Sequence, residues 1–501
     1  MPRAVSISHL SYECFPFSKF GGLGDAVGSL PVYLQRAGTD NTVITPFFYD
    51  GMRVGTFPVE RSLAIEVGYL GRREPVEVLV TRHRGVRFVF IKSEKYFRRA
   101  GIYHDRSGAP YADLLERSVF FSKAALQAMA ALELPMDHLL IHDWLGTAAV
   151  SYLRERPVPG LKTYFVVHNF QFHGIVKDSD LAGLESCVLE DLQELKEAGL
   201  QRSIGCNAVL KSDGVIVVSP SYRDELVYGS PPLHVGTEVF RKVAPERLHG
   251  FLNGIDTEVW RPRWEAQSAG DILAAKAVAR REFLQKHAGL EPRKPVVLMM
   301  NRLARQKGIF LFINETGGIN LEDAGLLSGM LEEINLVVCG NLDGVNENID
   351  TSFKALAARF PRSVVYLNRY TEERAHELLA ASDMYLFPSV FEPCGLTQMY
   401  AMRYGSVPIA HATGGLKDSI LDWNGDSATG TGFLFHEFTL AGLERAFRRA
   451  VHVFQRPPEW GLLVRQALEA NHSWEVRAAA YQQLLHPGSE PDSSPSRRVT
   501  P

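Results

Sequence analysis

The stretch FEPCGLTQMYAMRYG (391–405) sets Glu392 just ahead of Pro393, Cys394 and Gly395, at what reads as a helix start. Free amides at such a start bind phosphate oxygens. A carboxylate beside them is placed to accept hydrogen bonds from sugar hydroxyls, or simply to complement the helix dipole. Cys394 also fits a buried small hydrophobe. HATGGL (411–416), with Thr413, Gly414 and Gly415, adds a flexible backbone turn. NRLARQKG (301–308) sets Arg302 and Lys307 just past an apolar run. A planar fork and a mobile point charge together suit a diphosphate, although two cations at a strand end also make an ordinary solvated rim. SKFGGLGDAVGSLP (18–31) holds Gly21, Gly22, Gly24 and Gly28 between Lys19 and Pro31. A dinucleotide fingerprint needs G-x-G-x-x-G directly after a strand. Here Gly28 falls one residue late and the nearest strand pattern ends at Leu10. No GK[ST] follows, so the P-loop pattern fails as well. A glycine-rich turn remains, opening a helix near Asp25, with amides free to face an anion or merely to start the helix.

These residues need scaffolding, and the rest of the chain supplies a pattern for it. Short β-branched runs (4–10, 41–47, 86–92, 138–143, 163–169, 214–219, 295–301, 335–340, 363–368, 384–389, 407–412) alternate with helical patterns such as 113–131 and 371–382. That alternation predicts an α/β fold with mainly parallel sheets. Residues 76–92 read instead as an antiparallel hairpin. The runs end in polar or small clusters: His142-Asp143, His168-Asn169, Asn301-Arg302 and Pro388-Ser389. Ligands of open α/β sheets bind beyond strand carboxyl ends, so these clusters should share a cleft. The turn-rich passage LNGIDTEVWRPRWEAQSAGD (252–271) divides two strand sets. The expected architecture is two Rossmann-like, doubly wound domains facing across a deep cleft, 1–258 and 259–471. The helical stretch 472–485 is placed to pack back on the first domain, and 486–501, rich in Pro and Ser, reads as a disordered tail.

Composition narrows the partners. A 501-residue chain needs more than one core. Its 46% hydrophobic and 22% charged residues are ordinary for a globular protein. A net charge of −3 offers no broad surface for nucleic acid. There is no signal-peptide pattern at the start and no apolar run long enough to span a bilayer. Five scattered cysteines, without CxxC spacing, fit a reducing cytosol and no zinc site. A cytoplasmic protein without membrane partners is expected; oligomeric state is left open. The one Asp-x-Asp, Asp178-Ser179-Asp180, lies in a polar loop and is not assigned to a metal.

Taken in order, KFGGLGDAVGSLP, IHDW, HNFQFHG, VVSPSYRDEL, LNGIDTEVWRP, NRLARQKG and FEPCGLTQMYAMRYGSVPIAHATGGLKDS resemble the bacterial glycogen synthase and plant starch synthase family, across roughly residues 6–485. The resemblance implies a retaining glycosyltransferase of the glycosyltransferase-B fold, moving glucose from ADP-glucose to the non-reducing end of an α-1,4-glucan. It makes the glycine stretch (Gly21, Gly22, Gly24) a nucleotide-sugar loop, with Lys19 and Asp25 matching its signature. Arg302 and Lys307 match the pair on the diphosphate, and Glu392 the acidic residue near the donor glucose. Cys394, Gly395 and Leu396 fall in the phosphate-facing turn, with Thr413, Gly414 and Gly415 on the donor side. His168 matches the histidine beside the transferring sugar, and Asp143 lies in the cleft-lining HDW. Asn253 reaches the nucleotide side and Tyr370 is the base-stacking candidate. Tyr103 and Asp113 lie toward the acceptor. The chain departs from the family pattern at Leu114, Ser118, His173 and Cys206, mostly on the acceptor face.

The chemistry follows. Cleaving the glucose–phosphate bond builds negative charge on the diphosphate, and preorganised positive charge should be the largest catalytic contribution. Arg302, Lys307, the 393–395 turn and the Gly21–Gly24 amides are the expected sources, so no metal or other cofactor is expected. Double displacement would need a positioned carboxylate nucleophile. Front-face attack, with the leaving phosphate helping to deprotonate the acceptor, is favoured over it. The rival readings are the same fold with UDP-glucose or a short maltooligosaccharide, and a catalytically weak glucan-binding or regulatory homologue.

Overall fold

The structure is a computed structural model and describes residues 3–49, 57–106, 108–229, 234–262, 269–314, 318, 324–341 and 347–486. The tail beyond His486 and part of the 252–271 passage lie outside them.

Two sheets carry the polar clusters. The first comprises β1 (Ser6–Leu10), β2 (Asp40–Pro46), β3 (Arg61–Tyr69), β4 (Arg72–His83), β5 (Val86–Lys92), β6 (His138–His142), β7 (Lys162–Val167), β8 (Gly214–Val217) and β9 (Leu248–Gly250). Their spatial order is β3-β4-β5-β2-β1-β6-β7-β8-β9. Only β3–β4 and β4–β5 pair antiparallel, which is the expected hairpin plus one more strand. The second sheet comprises β10 (Val296–Met300), β11 (Asn335–Cys339), β12 (Val364–Leu367), β13 (Met384–Phe387), β14 (Val407–His411) and β15 (Phe433–Phe435). It is parallel throughout, in the order β12-β11-β10-β13-β14-β15. The central strands are buried along their length, as helices on both faces require.

Strands β3, β9 and β15 escape the sequence pattern. β3 is an edge strand whose alternate side chains face water, and the other two are three residues long.

Strand order reverses around β1 in the first sheet and around β10 in the second. Crevices for ligands open at such points. Residues just past β1, β6, β10 and β13 are therefore brought together by topology.

The chain passes between sheets twice. Ile255 on the outward passage donates its amide to the His472 carbonyl at 2.8 Å, and Trp474 returns one to Ile255 at 3.2 Å. The helix Trp474–Leu485 then packs on the helix Gly22–Arg36. Trp260 stacks on Tyr400 with centroids 3.7 Å apart. One apolar cluster runs unbroken from Ile7 and Val27 through Ile255 and Trp474 to Leu298 and Met399.

Candidate active site

Past β1 the chain enters the glycine turn. The helix there begins at Gly22 rather than near Asp25. Glu13, only 3% exposed, organises the turn. Its Oε2 accepts the amides of Phe20 at 2.6 Å and Gly21 at 2.8 Å, and its Oε1 accepts the Tyr103 hydroxyl at 2.6 Å. The Gly21 amide is thus used within the turn instead of facing an anion. The amides of Gly22 and Leu23, at the first helical positions, have no intrahelical acceptor. Lys19 Nζ holds Asp25 Oδ1 at 2.6 Å. Burial raises the Asp25 carboxyl pKa, and Lys19 opposes it. Close packing demands glycine at 28, where a Cβ would stand 2.4 Å from the Phe15 carbonyl oxygen. At Gly21 a Cβ would meet nothing within 4 Å, and at Gly22 only Leu396 at 3.4 Å.

The opposite wall comes from the second sheet. Lys307 Nζ sits 2.6 Å from Glu392 Oε2, with the two side chains 11% and 7% exposed. Ser389 Oγ donates to the same oxygen at 2.9 Å. The adjoining helix spans Thr397–Arg403, so Pro393–Leu396 form the turn before it, with Gly395 at φ +68°. Glu392 faces a cation and does not cap a helix. The Cys394 thiol is buried, which pushes its pKa to about 12, and it serves as packing. Asn253, buried on the passage between sheets, has an Oδ1 with no partner among the described residues. Tyr370 follows β12, its amide on Asn341 Oδ1 at 3.0 Å.

The two walls approach each other. A Cβ on Gly22 would stand 3.4 Å from Leu396, and the Arg302 guanidinium carbon lies 5.9 Å from the centroid of the exposed Phe20 ring. Lys19, Gly21, Gly22, Gly24 and Asp25 therefore oppose Arg302, Gly395 and Leu396. Thr413, Gly414 and Gly415, expected as donor contacts, have another task. The Gly414 amide and Thr413 hydroxyl both donate to Glu225 Oε1, at 2.7 and 3.1 Å, and the Gly415 amide to the Glu392 carbonyl at 2.9 Å. A Cβ on Gly415 would lie 2.1 Å from the Cys394 carbonyl oxygen. These residues underpin the Glu392–Cys394 backbone.

Asp143 and His168 close the floor. Asp143 has φ +55°, an unusual conformation for a non-glycine residue. It aims Oδ1 at the amides of His168 (2.8 Å) and Asn169 (3.1 Å). Burial pushes its carboxyl to about 7, against the pull of those amides. His168 Nε2 lies 3.0 Å from His142 Nδ1, and burial lowers the His168 pKa to about 3, so the ring is neutral.

The acceptor-side candidates are engaged. Tyr103 belongs to the Glu13 network, and both Asp113 oxygens accept from Arg99 at 2.9 Å. Of the departures, Ser118 is buried and bonds the Leu115 carbonyl, while Leu114 packs on the core. His173 and Cys206 adjoin each other, Sγ to Nδ1 3.9 Å. Asp178 pairs with Arg202, and Asp180 accepts the Lys177 amide. Sequence reasoning missed Glu13 and Glu225, while Ser389, read among the polar clusters that end strands, proves to bond Glu392. Glu13 follows a strand at a switch point, a position that marks it only once its partners are known to be the amides of the glycine turn.

Comparison with known proteins agrees with this architecture. Residues 6–239 match the family model of the starch synthase catalytic domain, and 280–453 that of glycosyl transferases group 1. A glycogen synthase of Bacillus cereus (strain B4264) is 31% identical over 500 residues, covering 94% of this chain and 97% of the relative. The chain belongs to the glycogen and starch synthase family. A second glycogen synthase, from Anaeromyxobacter dehalogenans, is 33% identical over 501 residues, 97% of this chain and 100% of the relative. The catalytic domain of starch synthase IV from Arabidopsis thaliana, solved bound to ADP and acarbose, superposes with a TM-score of 0.82 at 28% identity, covering 97% and 99% of the two chains. This glycogen/starch synthase relative is accordingly a retaining hexosyltransferase of glycosyltransferase-B fold, taking a nucleotide-sugar donor and transferring glucose to a glucan.

Proposed function

We propose that the donor is ADP-glucose and the acceptor the non-reducing end of an α-1,4-glucan, with transfer needing no metal ion. The observation that carries this is the Lys307–Glu392 pair beside the Gly395 turn. A cation one hydrogen bond from a carboxylate matches a ligand whose diphosphate adjoins its sugar hydroxyls. Arg302 and Lys307 would take the charge that develops on the diphosphate. Lys19 and the Gly22 and Leu23 amides approach from the other wall. Starch synthase IV, solved with ADP, supports adenine as the base, and Tyr370 is the residue to stack on it.

Neither carboxylate is arranged as a nucleophile. Glu392 is held by Lys307 and Ser389, and Asp143 by two amides. Attack therefore comes from the face the diphosphate leaves, and a departing phosphate oxygen takes the acceptor hydroxyl proton. Asp143 fixes the His168-Asn169 backbone, and His168 stands beside the transferring sugar.

Among the described residues no helix is long and apolar enough to cross a membrane. The five cysteines are unpaired, and a cytosolic setting is part of this reading.

The test is incubation with ADP-glucose and glycogen in EDTA, following ADP release and glucan elongation together. Coupled release and elongation is the expected result. Release without elongation moves the acceptor. Activity only with UDP-glucose moves the donor, and silence with both donors overturns the reading.

A further inference from the structure

Behind His168 a row of polar side chains crosses the first sheet. Asn41 on β2, His9 on β1, His142 on β6 and His168 just past β7 occupy four neighbouring strands. Asn41 pairs with Ile7, His9 with Leu140 and His142 with Val166. Each member thus stands two residues beyond the partner of the one before. A two-residue offset keeps all of them on one face and brings long side chains on adjacent strands within reach. The row climbs toward the strand carboxyl ends. Asn41, His9 and His142 are buried, and His168 alone reaches accessible surface, at the cleft.

The side chains form a continuous relay. His9 Nε2 is 3.1 Å from Asn41 Oδ1, His9 Nδ1 3.1 Å from His142 Nε2, and His142 Nδ1 3.0 Å from His168 Nε2. Its direction is set at the far end. The Thr39 hydroxyl donates to the Leu34 carbonyl at 2.7 Å, so Thr39 Oγ1 must accept, and Asn41 Nδ2 donates to it at 2.7 Å. That fixes the Asn41 amide with Oδ1 toward His9. An oxygen there requires a proton on His9 Nε2. Burial keeps each ring neutral, with one proton only. His9 Nδ1 must then accept from His142 Nε2, and His142 Nδ1 from His168 Nε2. Every hydrogen bond in the row points away from the cleft.

We propose that Asn41, His9 and His142 are positioning residues that lock His168 as the Nε2-protonated tautomer. His168 Nδ1 is left as a bare acceptor for a hydroxyl of the transferred glucosyl unit. This rests on the reading that His168 stands beside that unit. The lock serves two ends. It fixes the ring plane, and it makes the site accept from the sugar instead of donating to it, without a charged group near the anomeric centre.

Long-range ¹H–¹⁵N correlation on the full chain labelled with ¹⁵N-histidine tests the lock directly, with His168→Gln assigning the signals. A protonated Nε2 and an unprotonated Nδ1 on His168 are expected. A protonated Nδ1, a charged ring or averaged signals would overturn the proposal. Kinetics then test its use. His142→Leu removes the acceptor facing His168, whereas His142→Asn offers Oδ1 near the place of Nδ1. For the Leu variant kcat should fall about tenfold, the worth of one hydrogen bond, with donor KM nearly unchanged, and the Asn variant should recover most of the loss. Equal loss in both variants, or none in either, refutes the positioning role. The spectrum needs no substrate. A wild-type chain with the expected tautomer but no transfer from any donor would sink the proposed function alone, and transfer with the other tautomer would sink the lock alone.

Discussion

Replacing Lys307 should separate what the Lys307–Glu392 pair does for the fold from what it does for the reaction. Nζ and Oε2 are 2.6 Å apart and both side chains are nearly buried, with Ser389 Oγ on the same oxygen at 2.9 Å. Removing one partner of a buried pair leaves an uncompensated charge, at a typical cost of several kcal/mol. Here the serine hydroxyl remains and the site is not wholly dry, so Lys307→Met should destabilise by about 2–3 kcal/mol. At about 1–2 °C per kcal/mol for a chain of this length, the thermal midpoint should drop by about 2–6 °C. Neutralising the carboxylate as well, in Lys307→Met/Glu392→Gln, removes the buried charge and should restore most of that midpoint. Turnover should behave differently. A preorganised donor to developing charge is worth about 10²–10³-fold in kcat, and the double variant has still lost it. The assays are fluorescence-monitored melting and steady-state ADP release on the three proteins. Turnover that recovers along with stability in the double variant would refute the assignment of Lys307 to the diphosphate and leave the pair a structural one.

Other consequences follow from the same geometry. Burial holds the Asp143 carboxyl near 7, so between the unfolded value of about 3.9 and 7 the folded chain keeps a proton the unfolded chain lacks. Its contribution to stability is lost as pH rises through 7. Asp143→Asn should therefore gain in melting midpoint relative to wild type between pH 5 and pH 8, and a pH-independent difference would contradict the buried, raised carboxyl. The three relay histidines have lowered values, about 4 for His9 and about 3 for His168. Stability is then full above about pH 6.5 and falls as pH drops, by about 1.4 kcal/mol per unit per histidine; His142→Asn should lower the acid-side slope by one proton, measured by denaturant titration across pH. Gly28→Ala should melt well below wild type, because its Cβ would stand 2.4 Å from a carbonyl oxygen. Gly21→Ala should melt like wild type yet raise the KM for ADP-glucose, and an unchanged KM would show that no donor approaches that turn closely.

The strands that position the site were legible because parallel strands buried on both faces are continuous apolar runs. The polar residues ending them, Asp143, His168, Arg302 and Ser389, stand out by contrast. What was not legible depends on register. That Asn41, His9, His142 and His168 share one diagonal follows from pairings between strands that lie far apart in the chain, and local patterning carries no information about such offsets. Glu13 stayed hidden because a lone acidic residue after a strand is ordinary, until its partners prove to be the amides of the glycine turn. The misplaced helix starts have one cause. Gly22 and Thr397 begin helices at residues without side-chain caps, so the usual N-cap signals were absent.

The site is divided between two sheets, and the contacts that join them are unequal. On one side the halves are clasped by polar bonds: Ser219 Oγ to the Pro393 carbonyl at 2.6 Å, Ser221 to Asp418 at 2.6 and 2.8 Å, and Glu225 to Gly414 at 2.7 Å. At the cleft itself the approaches include Gly22 facing Leu396, where a Cβ would stand 3.4 Å away, and an exposed aromatic ring near Arg302. Glu225 and Ser219 hold the backbone that carries Glu392, Cys394 and Gly395, so that wall is registered to the first domain through the clasp. The Phe20–Arg302 approach is worth about 0.5–1 kcal/mol at an exposed site; under the proposed assignment, a diphosphate would offer Arg302 paired, charge-assisted hydrogen bonds. On the proposed assignment of Arg302 to the diphosphate, a donor in the cleft would add a link between the halves through itself, while the clasp keeps the two walls in register.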